Sequence, residues 1–278
     1  RWLGEIGGAK CGGGWFDPFG THEATYVEQA RQTVLADAKE MFLFCYGALL
    51  RDTGPANVAK LRTEIPDLFK LAKLVRNQPL RGIAAPKPPN SDAGSEQYVY
   101  DFVGMLGLPL VPTHEIRTDV KAAFLPVHAL KDPQAQTKLD TMLKAGTPVL
   151  ITDGLARKLP PTCTDNPHVA VLQVSGKPNS LLGLTREQLK PIRDKLLAPL
   201  GLRFDAPNKV ALYLIGDHCI VVENFNDEAI TASLEFTQPV KAEKSLVLPV
   251  EAQVDFACAG GTIRFTKIAP RTLVVLTY

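Results

Sequence analysis

Hydrophobic and polar positions divide the chain into three stretches with different periodicity. Over residues 1–78, short apolar runs alternate with segments in which apolar residues recur every three or four positions. This pattern is typical of strands followed by amphipathic helices. It predicts a strand at residues 1–8, a helix over residues 21–40, and a strand at residues 41–46 that is apolar enough to be buried on both faces.

A second helix is predicted to begin near Gly54-Pro55, because proline is well suited to a first helical position. Apolar residues continue at helical spacing to Asn77, and Pro66 in the middle should kink the helix or split it.

In residues 79–206, a second alternation of predicted strands and helices begins. This alternation indicates βαβ units and an open parallel sheet of the amidotransferase or flavodoxin kind. The predicted strands are residues 81–85, 108–111, 122–127, 147–154 and 168–174, and the predicted helices are residues 95–106, 133–145 and 185–200.

Residues 207–278 show six short strands with no helix between them, and the first two are joined at Gly216-Asp217. Strands at this spacing are typical of a small antiparallel β-sandwich. The predicted fold class is therefore α/β plus all-β, with three domains at residues 1–78, 79–206 and 207–278.

Composition and charge narrow the classes of partner. The chain has 278 residues and a formal net charge of +2, which is too small to indicate nucleic acid or an anionic membrane surface. No apolar run reaches the roughly 18 residues that span a bilayer. The five cysteines are scattered and the histidines do not pair at metal-ligand spacing, so neither a metal, a disulfide framework nor a cofactor is predicted.

The first stretch cannot bury its own strands. Two β/α units of about 78 residues enclose little apolar surface, so they must join the next sheet or belong to a closed barrel. A strand that delivers Glu5 into a loop containing Gly13, Gly14, Trp15 and Phe16 is how a β/α barrel presents a catalytic acid. The sequence therefore suggests a chain that begins inside a barrel.

The same residues carry a resemblance to a known family. Glu5, the loop at residues 13–16, the helical motifs at residues 28–31 and 35–40, and the apolar run at residues 42–44 resemble the seventh and eighth β/α units of family 42 β-galactosidases. The following α/β segment is similar to that family's amidotransferase-like trimerisation domain. The closing strands, including residues 222–226 and 268–276, are similar to its small C-terminal β domain.

The resemblance implies a retaining glycoside hydrolase with Glu5 as the nucleophile. Trp15 and Phe16 would form a platform for the sugar ring, although they could equally pack as a plug over the barrel mouth. Tyr46 is a further candidate for the sugar site, or a core tyrosine with a satisfied hydroxyl. The acid/base carboxylate would lie upstream of Arg1, so the chain alone is predicted to be inactive. A carbohydrate substrate and a homo-oligomer formed through the α/β domain are the implied partners.

Two alternatives belong to other classes of protein. The chain could be a non-catalytic module that mediates oligomerisation or carbohydrate binding, or a self-contained α/β hydrolase. The second needs a nucleophile on a tight strand-to-helix turn, with a base beside it. Cys163 lies in a proline-rich segment, and neither His114 nor His128 has an evident partner in the sequence.

Overall fold

The computed structural model describes residues 1–174 and 176–278. Its first part contains two strands, each followed by a long helix. The elements are α1 (Trp2–Gly7), a 3-10 helix (Gly8–Lys10), β1 (Gly13–Phe16), α2 (Glu23–Leu35), β2 (Glu40–Leu43), α3 (Tyr46–Leu49) and α4 (Gly54–Val75). β1 and β2 pair in parallel, with Gly13 opposite Glu40. A Cβ at Gly13 would lie 2.4 Å from the Glu40 carbonyl oxygen, so this close approach requires glycine.

The predicted strand at residues 1–8 is wrong, because this segment forms helix α1. The Glu5 amide donates to the Arg1 carbonyl oxygen at 2.8 Å, as in a helical turn. A strand needs a neighbour to satisfy its backbone groups, and in the described part of the chain residues 1–8 pair with no strand. A short helix satisfies those groups within itself. The strand of this region is instead β1, in the glycine-rich segment that was expected to be a loop.

The expectation that residues 41–46 are buried on both faces is also wrong. In the described part of the chain β2 pairs with β1 alone, and Phe42 and Leu43 are exposed. Helix α4 begins at Gly54, as predicted, and continues through Pro66 as one helix rather than two.

The second part is the predicted open parallel sheet. Its elements are β3 (Leu80–Arg81), β4 (Ile83–Pro86), α5 (Val99–Gly104), β5 (Leu110–Thr113), β6 (Ala123–Leu125), a 3-10 helix (Val127–Lys131), α6 (Ala135–Lys144), β7 (Val149–Thr152), α7 (Asp153–Ala156), α8 (Pro161–Thr164), β8 (Val169–Leu172), a 3-10 helix (Pro178–Gly183), α9 (Arg186–Leu197) and a 3-10 helix (Ala198–Leu200). Five strands pair in parallel in the order β5-β4-β6-β7-β8. Helix α9 begins with a capping box between Thr185 and Gln188.

The single strand expected at residues 81–85 is split between two sheets at Gly82. Residues Leu80–Arg81 pair with an antiparallel strand of the third part, whereas Ile83–Pro86 joins the parallel sheet. Gly82 has a φ of +147°, and a Cβ there would lie 2.0 Å from the Pro109 carbonyl oxygen. Glycine therefore permits the change of sheet.

The third part is antiparallel throughout. Its strands are β9 (Leu202–Asp205), β10 (Val210–Ile215), β11 (Cys219–Asn224), β12 (Ile230–Phe236), β13 (Glu243–Leu248), β14 (Val254–Ala259), β15 (Thr262–Ile268) and β16 (Thr272–Thr277). They form one sheet in the order β13-β16-β11-β10-β3 and another in the order β14-β15-β12-β9. These sheets also take in β3 and β9, which lie outside the predicted range of residues 207–278. The predicted mixture of α/β and all-β structure is confirmed.

The inner strands of the five-stranded antiparallel sheet, β10, β11 and β16, are buried on both faces, which explains why they are mostly apolar. In β11, Ile220 and Val222 belong to a core shared with the four-stranded sheet. Cys219 and Val221, which point the other way, pack in a second core with helices α2 and α4. The helices of residues 1–78 thus pack against this sheet. Below, the second part of the chain is called the α/β domain and the third part the β domain. No helix in the described ranges is long and apolar enough to cross a membrane.

Candidate functional site

Exposed aromatic rings gather where β1 and β2 end. Trp15, Phe19, Phe42, Phe44 and Tyr46 are all exposed to solvent, and we call these five residues the aromatic face. Trp15 is 71% exposed and Tyr46 is 77% exposed, so both rings present most of their surface to water. A cluster of exposed apolar rings on one surface is typical of an interaction or ligand site.

Direct ring contacts hold part of the aromatic face together. The rings of Trp15 and Phe44 stack with centroids 5.5 Å apart and planes 12° apart. Phe19 meets the same Phe44 ring edge-on at 6.3 Å. Offset-stacked and edge-to-face pairs are the favourable arrangements of aromatic side chains, so the three rings form one ordered platform.

Trp15 and Phe16 point to opposite sides of β1, as neighbouring residues of a strand do. Phe16 is only 3% exposed and packs edge-on against Tyr26 with centroids 5.0 Å apart. The structure therefore brings Trp15 to the aromatic face and Phe16 to the core beneath it.

Asp17 follows β1 directly and was not identified from the sequence. Its carboxylate accepts a hydrogen bond from the Phe19 amide at 3.1 Å. The Asp17 backbone exchanges two hydrogen bonds with the Gln29 side chain of α2, at 3.2 and 3.1 Å. Helix α2 thereby fixes the loop that carries the rings. The position of a carboxylate directly after a strand of a β/α unit is the signal that could have found Asp17.

Glu5 lies on α1 and faces the α/β domain. One carboxylate oxygen accepts a hydrogen bond from Arg117 at 3.3 Å, and the other lies 3.3 Å from His114 Nδ1. Trp2 of the same helix donates to the Lys87 carbonyl oxygen at 2.7 Å. The described contacts thus join Glu5 to the α/β domain and not to the aromatic face. Its role as a nucleophile stays a prediction.

A buried polar cluster connects α2 to the β domain below the aromatic face. The Gln32 amide donates to the Glu223 carboxyl group at 2.7 Å, and the Tyr213 hydroxyl donates to Gln32 at 3.1 Å. The second oxygen of Glu223 is buried with no hydrogen-bond partner in the described part of the chain. Burial raises the pKa of the Glu223 carboxyl well above its usual value, and the nearby charge of Glu28 raises it further.

This cluster predicts a loss of stability as pH rises. An acid whose pKa is higher in the folded than in the unfolded state gains protons on folding, so its stabilising contribution is present below its unfolded pKa of about 4.5 and falls as pH rises above it. We expect E223Q to flatten this decline, because a neutral amide needs no proton and can donate towards Glu28. At pH 8 its free energy of unfolding should exceed that of the unsubstituted protein by about 1.4 kcal/mol for each unit of pKa difference.

Urea unfolding measured from pH 5 to pH 8 checks this expectation. E228Q is the matched control, because Glu228 is an exposed carboxylate close to β11 and the substitution should leave the pH dependence unchanged. Identical pH profiles for E223Q and the unsubstituted protein would contradict the assignment.

Two further sequence expectations concern the α/β domain. Cys163 is buried on α8 with its thiol 3.2 Å from Asp140, and burial raises its pKa to about 11, so it stays a protonated thiol. His128 does have a partner that the sequence did not reveal: its Nδ1 lies 2.8 Å from the Ser91 hydroxyl oxygen.

Oligomerisation through the α/β domain stays a prediction. Among the described residues between positions 79 and 206, the exposed large apolar side chains are Tyr98 and Leu130. The larger group of exposed apolar side chains lies in residues 1–78.

Comparison with known proteins finds a similarity in the first part of the chain. Residues 1–93 match the family model described as "Probable glycosyl hydrolase, catalytic domain". This match covers about a third of the chain and relates it to glycoside hydrolases. No curated protein matches the sequence.

Solved structures of other proteins align with this chain at low sequence identity. An α-L-fucosidase isoenzyme 2 from Paenibacillus thiaminolyticus aligns with a TM-score of 0.55 and 10% identity, over 95% of this chain and 60% of the fucosidase. An exo-carrageenase GH42 from Bacteroides ovatus aligns with a TM-score of 0.44 and 10% identity, over 94% of this chain and 40% of that one. A rhamnosidase from Novosphingobium sp. PP1Y aligns with a TM-score of 0.45 and 8% identity, over 94% of this chain and 30% of that one. The chain thus spans about three-fifths of the fucosidase.

Proposed function

We propose that this chain is the carboxyl-terminal part of a retaining glycoside hydrolase similar to family 42 β-galactosidases. Residues 1–78 would contribute the last two β/α units of its barrel. The observation that carries the proposal is the parallel pairing of β1 and β2, each followed by a long helix, within the residues that match the glycosyl hydrolase family model. Parallel strands with adjacent crossover helices are the building units of such barrels.

The aromatic face would form part of the sugar site. Trp15 and Tyr46 offer broad exposed ring faces, which suit the apolar CH surfaces of a sugar. Asp17 adds a hydrogen-bond acceptor in the same loop as Trp15 and Phe19. Flat rings for stacking and one carboxylate for hydroxyl groups make a coherent subsite on the carboxyl ends of the strands.

Hydrolysis would need more of the barrel than these residues. A retaining mechanism requires two carboxyl groups about 5 Å apart, one as nucleophile and one as proton donor. Glu5, the candidate nucleophile, has its carboxylate paired with Arg117 in this structure. The rest of a barrel would supply the second carboxyl group.

A non-catalytic carbohydrate-binding module is the second candidate. The position of Glu5 favours it, because its carboxylate faces Arg117 of the α/β domain and not the aromatic face where the sugar would lie. Both candidates place sugar on the aromatic face, and they differ in whether any catalysis follows.

Replacement of Trp15 tests the sugar site. We expect W15A to weaken binding of methyl β-D-galactoside at least about tenfold, since loss of a stacked ring removes on the order of 1.4 kcal/mol. Calorimetric titration measures the dissociation constant. F69A is the matched control, because Phe69 is an equally exposed ring on α4, away from the aromatic face. Equal affinity in W15A and F69A would rule out a site at Trp15.

A galactosidase assay on the same protein further distinguishes the two candidate functions. The 278-residue chain should release no nitrophenol from p-nitrophenyl β-D-galactoside, because the catalytic pair is incomplete. Steady release that is lost in E5Q would show that the chain already holds a complete active site, and the fragment proposal would then fail.

A further inference from the structure

A second candidate site lies in the α/β domain, at the carboxyl ends of β4 and β6. Ser91 follows β4 in the segment that leads to α5, and His128 lies in the 3-10 helix directly after β6. The Ser91 hydroxyl oxygen lies 2.8 Å from His128 Nδ1. The carboxyl ends of adjacent parallel strands are where open α/β sheets bind ligands.

The surroundings fix the histidine of this pair. His128 is only 5% exposed, and its ring packs against Tyr100 with centroids 5.4 Å apart. The Tyr100 hydroxyl donates to the Pro86 carbonyl oxygen at the end of β4. Burial and the charge of Lys87 lower the pKa of His128, so the imidazole is neutral near pH 7. A neutral ring with its proton on Nε2 can accept the Ser91 proton at Nδ1.

The pair opens into a cleft with a volume of about 890 Å³. This size is within the range of small-molecule sites. Ser91 and His128 both line the cleft, together with Tyr98, Leu108, Leu110 and Leu212. The walls are largely apolar, and the polar groups include the hydroxyl, the imidazole and the charged side chains of Arg1, Lys87 and Asp101. Such a cavity suits a ligand with an apolar portion.

The backbone around Ser91 has features of a functional loop. Asn90, directly before the serine, has a φ of +56°, and Tyr98 at the cleft has a φ of +63°. Left-handed backbone at a bulky residue such as tyrosine is uncommon and concentrates at functional sites. In residues 1–174 and 176–278 the amide of Asp92 has no protein hydrogen-bond acceptor. The amide after a nucleophilic serine is one donor that stabilises the oxyanion in serine hydrolases.

We propose that Ser91 and His128 form a nucleophile–base pair that hydrolyses a carboxylic ester with a short apolar acyl group. Ser91 Oγ attacks the ester carbonyl carbon, and its proton passes to His128 Nδ1. The bond from that carbon to the alkoxy oxygen then breaks, and His128 returns the proton to the leaving alkoxide, which departs as an alcohol. Water attacks the acyl-serine, loses a proton to His128, and the carboxylic acid leaves as Ser91 Oγ recovers its proton.

Two measurements on the full chain test this activity. We expect turnover of p-nitrophenyl butyrate, and a fall of at least about 100-fold in kcat/KM in both S91A and H128N, because a positioned base contributes 100-fold or more. We also expect a fluorophosphonate probe to label Ser91 stoichiometrically, as located by peptide mass mapping. S95A is the matched control, because Ser95 is an exposed serine four residues away.

The outcomes are decisive in either direction. Turnover and labelling that are both lost in S91A and retained in S95A support the proposal, and unfolding midpoints establish that the variants are folded. Absence of turnover in the unsubstituted chain, turnover that survives S91A, or a probe attached elsewhere would overturn it. None of these results depends on sugar binding at the aromatic face, so the two proposals can fail separately.

Discussion

Replacement of Arg193 by methionine is expected to lower the free energy of unfolding by about 3–5 kcal/mol. Arg193 on α9 is fully buried, and its guanidinium donates to three carbonyl oxygens: Leu106 at 2.7 Å, Ala206 at 2.5 Å and Pro207 at 3.2 Å. Methionine fills similar space but donates no hydrogen bond. Each buried carbonyl left without a partner costs about 1–3 kcal/mol.

The position of these carbonyls makes the effect large. Leu106 follows α5 in the α/β domain, whereas Ala206 and Pro207 link β9 to β10. One side chain therefore ties the α/β domain to both antiparallel sheets. Burial lowers the Arg193 pKa to about 10, so the side chain is still charged at pH 7 and retains its donors.

Urea unfolding followed by circular dichroism measures this loss. R203M is the matched control, because Arg203 on neighbouring β9 is exposed and its replacement should change stability by no more than about 0.5 kcal/mol. R193K should recover little, since one ammonium group cannot reach three separate carbonyls. A loss in R193M no larger than that in R203M would contradict this account.

Arg193 also shows where sequence patterns stop being informative. The helix over residues 186–197 was predictable, because Thr185 and Gln188 supply a capping box and leucines follow at helical spacing. Its charged residues are expected to face water, since arginine is seldom fully buried. The three carbonyls that accept from Arg193 come from separate segments, and no local pattern marks them.

The parallel sheet and the antiparallel strands were predictable for a related reason. Strands β7 and β11 consist of short apolar runs bounded by turns, and such runs reflect burial whatever the neighbours are. The prediction for residues 1–8 was wrong because they have the composition of a strand, whereas in the structure a helix satisfies their backbone groups locally. Their helical state depends on contacts with the α/β domain, such as the Trp2 hydrogen bond to Lys87.

The residues of the candidate sites were likewise predictable only in part. The sequence named Trp15 and Tyr46 as candidates because aromatic residues in loops after strands often bind ligands, and the structure shows that both rings are exposed. The opposite orientation of Phe16 depends on where β1 begins, and a shift of register exchanges the two faces of a strand. Ser91 and His128 lie 37 positions apart, and only the adjacency of β4 and β6 brings them together.

Replacement of Arg31 by methionine is the second substitution expected to have a large effect, at about 3–5 kcal/mol. Arg31 on α2 and Glu64 on α4 are both buried and form a forked ion pair, with N–O distances of 2.7, 2.9 and 3.2 Å. The third guanidinium nitrogen, Nη1, donates to the Arg271 carbonyl oxygen of the β domain at 3.1 Å. R31M would leave the Glu64 carboxylate buried without its partner, which is the costly outcome for a buried pair.

A double-mutant cycle isolates the pair. We expect R31M/E64L to be much less destabilised than R31M, because removing both charges leaves no unpaired buried carboxylate. K190M is the matched control: Lys190 on α9 forms an exposed pair with Asp194, and such pairs contribute no more than about 1 kcal/mol. Additive losses in the double variant, or a loss in R31M as small as that in K190M, would show that the pair is not coupled.

We expect R31M to affect the aromatic face as well. Helix α2 holds the Asp17 loop through Gln29, and Arg31 fixes α2 against both α4 and the β domain. If the rings bind sugar, R31M should weaken binding of methyl β-D-galactoside even at temperatures where the protein remains folded, because the loop loses its support. R31M/E64L, which restores packing between the helices, should recover much of that affinity. If R31M/E64L regained stability but not sugar binding, the loop that contains Asp17 would be held by elements other than α2.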